Sequence, residues 1–453
     1  MQLKRELARM MRITLAGFVI IALTAAYWAV VERDRLLARQ DNPRLVQARA
    51  AVQRGAVYDR NNTLLVETTM VGASNVRRYL EPSFYSALGY FSLRYGTGGI
   101  ENEYDPILSG TDRPRSLEQL ILGAPTIGSD IQLTFDSVLQ QMLADAFEGH
   151  NGAAVLVSVP SGEILALLSS PTYDPNTLDQ DWAALLQDSG NPFFNRAIQG
   201  RYQPGGAVQT PLLALFALGG SSLNSPIEDA TEPVYTDTLT LNCTIRPPRS
   251  TLTLIEAYTY GCPAPFLDGA ASFQPAQIAR ALQQLNRTST SQGDLSLSRD
   301  ELLGQGRQTI SPLDMALLTA AIINGGNSPV PYTLLATRAP EAMDWTAAAH
   351  DEPSLPAMTA PAASQLLEAM STVEATLSDV SQRDVTLGSH RALAFTGEGM
   401  LAWYTGFALL PDGQGMAIAV VVEDASDTQR AAEIGSQTLA TGIREHERSA
   451  ARP

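Results

Sequence analysis

One stretch of this chain dictates where all the rest can fold. Residues Ile13 to Val31 form 19 consecutive positions without a charge, and a helix of about 20 apolar residues spans the hydrocarbon core of a bilayer. Lys4, Arg5, Arg9 and Arg12 precede it, and Glu32, Arg33, Asp34 and Arg35 follow. Basic excess stays on the cytoplasmic side. The pattern therefore predicts a cytoplasmic tail at 1–12 and a transmembrane helix at 13–31, with everything beyond it outside the cytoplasmic membrane. The competing reading is a cleaved signal peptide with Thr24-Ala25-Ala26 as its small-residue site, although such apolar regions run to only about 7 to 15 residues.

Placing the bulk of the chain outside gives its composition meaning. Residues 1 to 12 contribute +3 to a net charge of −16, which leaves −19 on the remainder. A surface of that sign does not attract nucleic acid or anionic lipid. Lys4 is the sole lysine, so any chemistry outside the membrane has arginine as its only strong base. Cys243 and Cys262 lie in a compartment that permits disulfides. A bond between them closes a loop of about 20 residues and adds roughly 3 kcal/mol through the unfolded state. Two separate buried thiols are the alternative; a metal site lacks the nearby His pair it needs.

Periodicity and turn signals then divide the outer portion. Leu36 to Ala51 reads as a helical stalk, and Arg54 to Val66 as two short strands around Asn61-Asn62. Pro82 to Gly128 is aromatic and glycine-broken, which suggests a small mixed domain with a flexible exit near Gly123 to Gly128. The expected boundaries are a stalk and pedestal domain at 32–127 and a larger domain at 128–453. The larger one opens with Asp130 to Asp136 and an amphipathic helix to about Phe147. A hairpin follows, Ala153 to Val159 and Glu163 to Ser169 around Pro160-Ser161-Gly162.

Val234 to Arg249 reads as irregular. Ser311-Pro312-Leu313-Asp314 starts a helix, with a capping serine, a first-turn proline and a first-turn acid, that stops at Gly325-Gly326. Ala347 to Pro361 reads as a surface crossing. Ala392 to Thr396, Leu401 to Leu409 and Met416 to Glu423 give three more strands, and Thr428 to His446 a last helix. Five strands split two and three, with helices between and after, describe an antiparallel sheet covered on both faces.

Near the middle, Asn195 to Gln203 reads as an extended segment that closes on Pro204-Gly205 before an apolar helix from Val208 to Leu218. Such a turn sets its first helical residue and the one a turn later on the same side, beside free backbone N–H groups. A serine and a lysine there would form a nucleophile and its base. The residues present are Gly206 and Gln209.

From Arg54 onward the chain resembles the class B penicillin-binding proteins, the bitopic D,D-transpeptidases that cross-link peptidoglycan. The likeness is carried by Arg54-Gly55-Ala56-Val57-Tyr58-Asp59-Arg60, Gly152-Ala153-Ala154-Val155, Gly162-Glu163-Ile164-Leu165-Ala166 and Ser170-Pro171-Thr172-Tyr173-Asp174-Pro175-Asn176. It continues in Asn195-Arg196-Ala197-Ile198-Gln199-Gly200, Tyr202, Pro204-Gly205, Gly304-Gln305-Gly306, Pro312-Leu313-Asp314-Met315-Ala316 and Ala320 to Gly326. The resemblance implies an α+β fold: a penicillin-binding, β-lactamase-like transpeptidase domain whose five-stranded antiparallel sheet is covered by helices on both faces. A small N-terminal mixed domain and one transmembrane helix precede it.

Carried over residue by residue, the family's catalytic pattern is not met. Its nucleophilic serine and its lysine one turn later fall on Gly206 and Gln209. Its Ser-x-Asn element falls on Gly261-Cys262-Pro263. Its Lys-Thr-Gly falls on Phe395-Thr396-Gly397, which keeps Thr396 and Gly397, replaces the cation by an aromatic ring and adds Glu398 behind it. Glycine is no nucleophile and an amide no useful base. Ser221, Ser222, Thr210, His150, His350 and His390 are candidates for a relocated site, but none has a recognisable triad spacing. Backbone N–H groups at the helix start and near Glu398 remain able to form an oxyanion pocket.

The expectation is a non-catalytic, membrane-anchored scaffold or regulator of cell-wall assembly, with no cofactor or metal. Family analogy implies cell-wall assembly proteins as partners, a SEDS-type glycan polymerase among them, and possible contact with a peptidoglycan stem peptide. The alternatives are an active transpeptidase with a relocated nucleophile and a reversible stem-peptide or muropeptide sensor.

Overall fold

The computed structural model describes residues 2–30, 50–72, 74–114, 126–237, 239–283, 298–377, 385–396 and 399–450. Helix α1 (Gln2–Val30) includes the apolar stretch Met10–Trp28, long and apolar enough to cross a membrane. The helix begins at Gln2, so the basic segment before the apolar run is helical as well. The expected stalk falls largely on residues 31–49 and the expected exit near Gly123 largely on 115–125, both outside the described residues.

The N-terminal module is built on a sheet of six strands. β1 (Val57–Tyr58) and β2 (Leu64–Val71) pair antiparallel across the predicted Asn turn. There Asp59 accepts the N–H groups of Asn61 and Thr63 at 2.8 and 2.7 Å, and Asn62 takes a left-handed φ of 65°. β3 (Ser74–Tyr79) forms one edge. β4 (Asp130–Leu133) pairs parallel with β1 and antiparallel with Leu334–Arg338, which carries Thr346–Ala347 on its outer side. This sheet therefore takes strands from beyond residue 128. The segment read as a surface crossing contributes a strand residue to it, and Ala360 already opens a helix. Behind the sheet, Glu101 is buried between Arg54 and Arg77, each 2.7 Å away. Burial works to raise its pKa, but the two guanidinium groups outweigh burial and hold the carboxyl below its usual range.

The second sheet has five antiparallel strands. β5 (Gly152–Val159) and β6 (Ile164–Ser170) form the predicted hairpin; β7 (Thr386–Phe395), β8 (Met400–Leu409) and β9 (Gly415–Val422) supply the rest, in the order β7-β8-β9-β5-β6. Alternation sends Val155, Val157, Trp403, Phe407, Ala419 and Val421 to one face and Ala154, Leu156, Tyr404, Ile418 and Val420 to the other. Both faces are covered. The second lies under α2 (Ser137–Ala146), capped by Asp136, and under the C-terminal helix Gln429–Ala450.

The first face carries α3 (Gln209–Leu218), α4 (Leu254–Tyr260), α5 (Pro312–Ile323) and α6 (Ala360–Leu377). Ser311 caps α5 by accepting the N–H of Asp314, as predicted. α3 and α5 are apolar nearly all round because other elements enclose them. α6, absent from the sequence reading, buries Ala362, Ala363, Leu366, Ala369, Met370 and Val373, a helical spacing. Its alanines allow it to sit close against α3 and β7.

Candidate functional site

The turn before α3 is shaped by two backbone approaches. Gly205 has φ +52°, and a Cβ there would stand 2.1 Å from the carbonyl oxygen of Leu393 on β7. From the other side Gly304, with φ +66°, brings its Cα so near that a Cβ would stand 2.1 Å from the Gly205 oxygen, while the Gly205 N–H donates to the Gly304 carbonyl at 3.0 Å. Only glycine meets both demands. The chain is thereby clamped between β7 and the Gly304-Gln305-Gly306 loop. Gln203 donates to the carbonyls of Gln305 and Gly306, and its own carbonyl accepts the Trp403 indole N–H at 3.0 Å.

Upstream of this turn the expected extended segment is replaced by a tight one. Asn195 accepts the N–H groups of Ala197 and Ile198 on its side chain, and its carbonyl accepts that of Gln199, so only Tyr202 bridges as a strand residue, to Ile310. The local hydrogen bonding of asparagine outweighs the extended tendency of its neighbours. Glu423, just past β9, secures the turn by accepting from Arg196 Nε at 2.9 Å and from the Tyr202 hydroxyl at 2.7 Å. A one-turn 3₁₀ segment, Gly205–Val208, then leads into α3.

A cavity of about 150 Å³ opens beside this turn. Gly206, Gln209, Gly261, Pro263 and Phe395, five positions singled out from the sequence, all line it, as does Cys243. Cys243 and Cys262 are joined by a disulfide with an S–S distance of 2.08 Å, which ties the Thr240–Thr244 wall to the end of α4. Gly261 ends α4 with φ +63°, and a Cβ there would come 2.6 Å from the Thr244 hydroxyl, so the backbone disfavours any other residue. Pro263 starts the next helix, Ala264–Ala270, and offers no side-chain amide. Thr396 closes a turn instead of facing the cavity: its N–H donates to the Gly399 carbonyl and its hydroxyl accepts the Gly399 N–H. Gly397 and Glu398 lie outside the described residues.

Several residues of the site were not legible in the chain. Gln305 accepts the Phe395 N–H on its side-chain oxygen at 3.1 Å, so the end of β7, the outer strand of the sheet, is already capped from within. Gln305 sits in the Gly304-Gln305-Gly306 stretch that carries the family resemblance, but nothing in that pattern gave its side chain a partner. Thr244 and Asn242 come from the stretch read as irregular, which forms a two-residue ladder, Val234–Tyr235 with Thr240–Leu241.

Of the candidates for a relocated site, His390 alone reaches the turn. Its ring is 2% exposed, stacks on Tyr258 at 4.0 Å, and sets Nε2 3.4 Å from the Gly206 carbonyl oxygen. Burial pushes its pKa down to about 4, against the opposing pull of the Gly206 carbonyl. Nδ1 is buried without a partner. The Thr210 hydroxyl pairs with that of Tyr258 at 2.8 Å, and His350 stacks on Tyr332 and meets the Leu334 carbonyl. Ser221 and Ser222 are exposed beyond the end of α3. The described lining contains no charged side chain, and Gln209, 2% exposed, keeps its Oε1 without a partner. The arrangement can hold a ligand by shape and hydrogen bonds.

Residues 152–440 match the penicillin binding protein transpeptidase domain, and residues 54–131 the penicillin binding protein A dimerisation domain. The chain belongs to the class B penicillin-binding proteins. This penicillin-binding protein is similar to the peptidoglycan D,D-transpeptidase PbpA of Mycolicibacterium smegmatis, 27% identical over an alignment of 489 positions, gaps included, that covers 96% of this chain and 98% of the relative. The PbpA of Mycobacterium tuberculosis is 28% identical over 74% of this chain and 76% of its own. In three dimensions the penicillin-binding protein superposes on penicillin-binding protein A from M. tuberculosis, solved as an imipenem acyl-enzyme complex. The TM-score is 0.76 at 26% identity, over 88% of this chain and 100% of that one.

Proposed function

We propose that this penicillin-binding protein is a membrane-anchored pseudo-transpeptidase with a scaffolding or regulatory role in peptidoglycan biosynthesis. One observation carries the reading: the cavity beside the launching turn of α3 presents Gly206 and Gln209 where an acyl transferase of this fold needs a nucleophile and its base. The M. tuberculosis relative forms acyl-enzymes with imipenem and penicillin G. Acylation needs an attacking atom, and a carbonyl polarised by backbone N–H groups alone is not attacked. With Lys4 the only lysine, no serine outside the membrane can use a lysine as its base.

The retained framework supports a role in contacts. The two matched modules and the apolar N-terminal helix support the reading of a single-pass protein of the cytoplasmic membrane, and in this reading its C-terminal domains lie outside. Cell-wall assembly proteins are its partners in this reading, with a SEDS-type polymerase among them by analogy. Labelling the purified full-length protein with fluorescent penicillin tests it. No covalent adduct is expected, and an adduct on any serine or threonine would restore an active transpeptidase with a relocated nucleophile.

A further inference from the structure

We propose that the tip of the β2–β3 hairpin, carried by Met70 and Val71, enters the outer interface of the lipid bilayer that α1 crosses and so fixes the N-terminal module against the membrane. The inference rests on the reading above that α1 anchors the chain with its later domains outside. The shape of the tip and its place in the module both point this way.

The tip is apolar, uncharged and open. Met70 is 77% exposed and Val71 61%. They stand at the end of the ladder, opposite Asn75 and Ser74, and a Cβ on Gly72 beyond them would meet nothing within 4 Å. Thr68 to Val76 are nine consecutive positions without a charge. Anionic headgroups repel the acidic surface elsewhere on the outer portion, but they do not repel this tip. Successive strand residues point to opposite faces, so Met70 and Val71 leave the hairpin on opposite sides. A flat partner surface covers one of the two. A lipid interface that the tip enters end-on covers both.

The tip also lies beside the point where the chain arrives from α1. Asn75 donates to the Ala50 and Val52 carbonyls at 3.3 and 3.1 Å. Residue 50, the first described after α1 ends at Val30, is thus held against the strand that carries the tip, with residues 31–49 between them. Tethered through α1, the module meets the bilayer at a high effective concentration, so two side chains suffice where they would not in an untethered protein. A second exposed methionine, Met343 at 93%, lies between Leu334–Arg338 and Thr346–Ala347, on the opposite edge of the same sheet. It provides the control.

Both cysteines of the chain are joined in the disulfide, so a single introduced cysteine can carry a bimane label as the sole thiol. The full-length protein is placed in nanodiscs of phosphatidylcholine and phosphatidylglycerol. A label on Val71→Cys should shift to the blue and lose at least half its emission when the lipid carries a nitroxide near its headgroup, while a label on Met343→Cys should not change. Met70→Asp, at an exposed position, should reduce the quenching at Val71 at least twofold. Quenching at Val71 no greater than at Met343, or unaffected by Met70→Asp, would overturn the proposal. A blue shift without lipid quenching would overturn it as well, by showing that a second copy of the chain covers the tip. A label on Leu23→Cys within α1 keeps the two readings apart. If a nitroxide deep in the acyl chain quenches Leu23 while Val71 stays bright, the tip proposal alone fails; if Leu23 is not quenched, the anchoring reading fails and the proposal with it.

Discussion

A Cβ built on Gly206 would rest 3.4 Å from the Cβ of Ala392, an ordinary contact, and meet nothing closer. One residue earlier, at Gly205, the same atom would lie 2.1 Å from the Leu393 carbonyl oxygen and 2.6 Å from the Ala394 Cα. The two neighbouring glycines thus stand in opposite relations to β7. Gly206→Ser is expected to fold with stability within about 1 kcal/mol of the parent, whereas Gly205→Ser should lose about 3 kcal/mol or more through left-handed strain and the clash. Urea melts of the two variants compare them directly.

If the proposed function holds, the same free space allows a nucleophile and base to be introduced. Gly206→Ser alone should stay unlabelled by penicillin, because the new hydroxyl has no base. Adding Gln209→Lys places an amine at a position 2% exposed, where burial lowers its pKa and makes it a base. Slow acylation, read by intact mass, is the expected result for the double variant, since no described lining residue offers the penicillin carboxylate a cation. A double variant as inert as the single one would show that more than the dyad is missing.

His390 makes the fold sensitive to acid. Its ordinary pKa is near 6.5 and its folded value about 4, so the unfolded chain takes up a proton that the native ring refuses. The stability this gives is whole above pH 6.5 and is lost as pH falls towards 4, by about 2 kcal/mol at pH 5 and about 3 kcal/mol at pH 4. Denaturant melts of the parent and of His390→Gln at pH 7.5, 5 and 4 should show the parent losing that much more than the variant. Parallel losses would mean that the ring is not held neutral.

The disulfide between Cys243 and Cys262 should resist alkylation in the native protein until reductant is added, after which two thiols react. Its reduction should cost roughly 3 kcal/mol through the 19-residue separation it closes. Thermal melts with and without reductant read the difference.

Glu423 anchors the segment before the turn through Arg196 and Tyr202. The Arg196 side chain is 8% exposed and also donates to the Gly190 and Asn191 carbonyls. Glu423→Ala should cost about 2 to 3 kcal/mol, because a buried guanidinium loses its counter-charge. Glu423→Gln keeps an acceptor and should lose less.

The sequence by itself determined what depends on neighbours along the chain. The uncharged run at 13–31 needs only length and apolarity to form a helix fit for a membrane. The hairpin around Pro160-Ser161-Gly162 and the start of α5 at Ser311 follow from local turn and capping chemistry. That a glycine and a glutamine stand at positions 206 and 209, the observation on which the proposed function rests, is also a fact of residue type. Tertiary structure alone decided the rest. β4, read as opening the second domain, joins the N-terminal sheet because its hydrogen-bonding partners, β1 and Leu334–Arg338, are distant in sequence. α6 passed unread since its many alanines give a weak apolar stripe, which becomes decisive only against the close approach of α3 and β7. The side chains of Gln305 and His390 acquired meaning only once long-range pairing set them against Phe395 and Gly206. The sequence could show which residue types stand at the turn, but the cavity beside it, whose described lining is uncharged, arises from five separate segments whose meeting no local rule specifies.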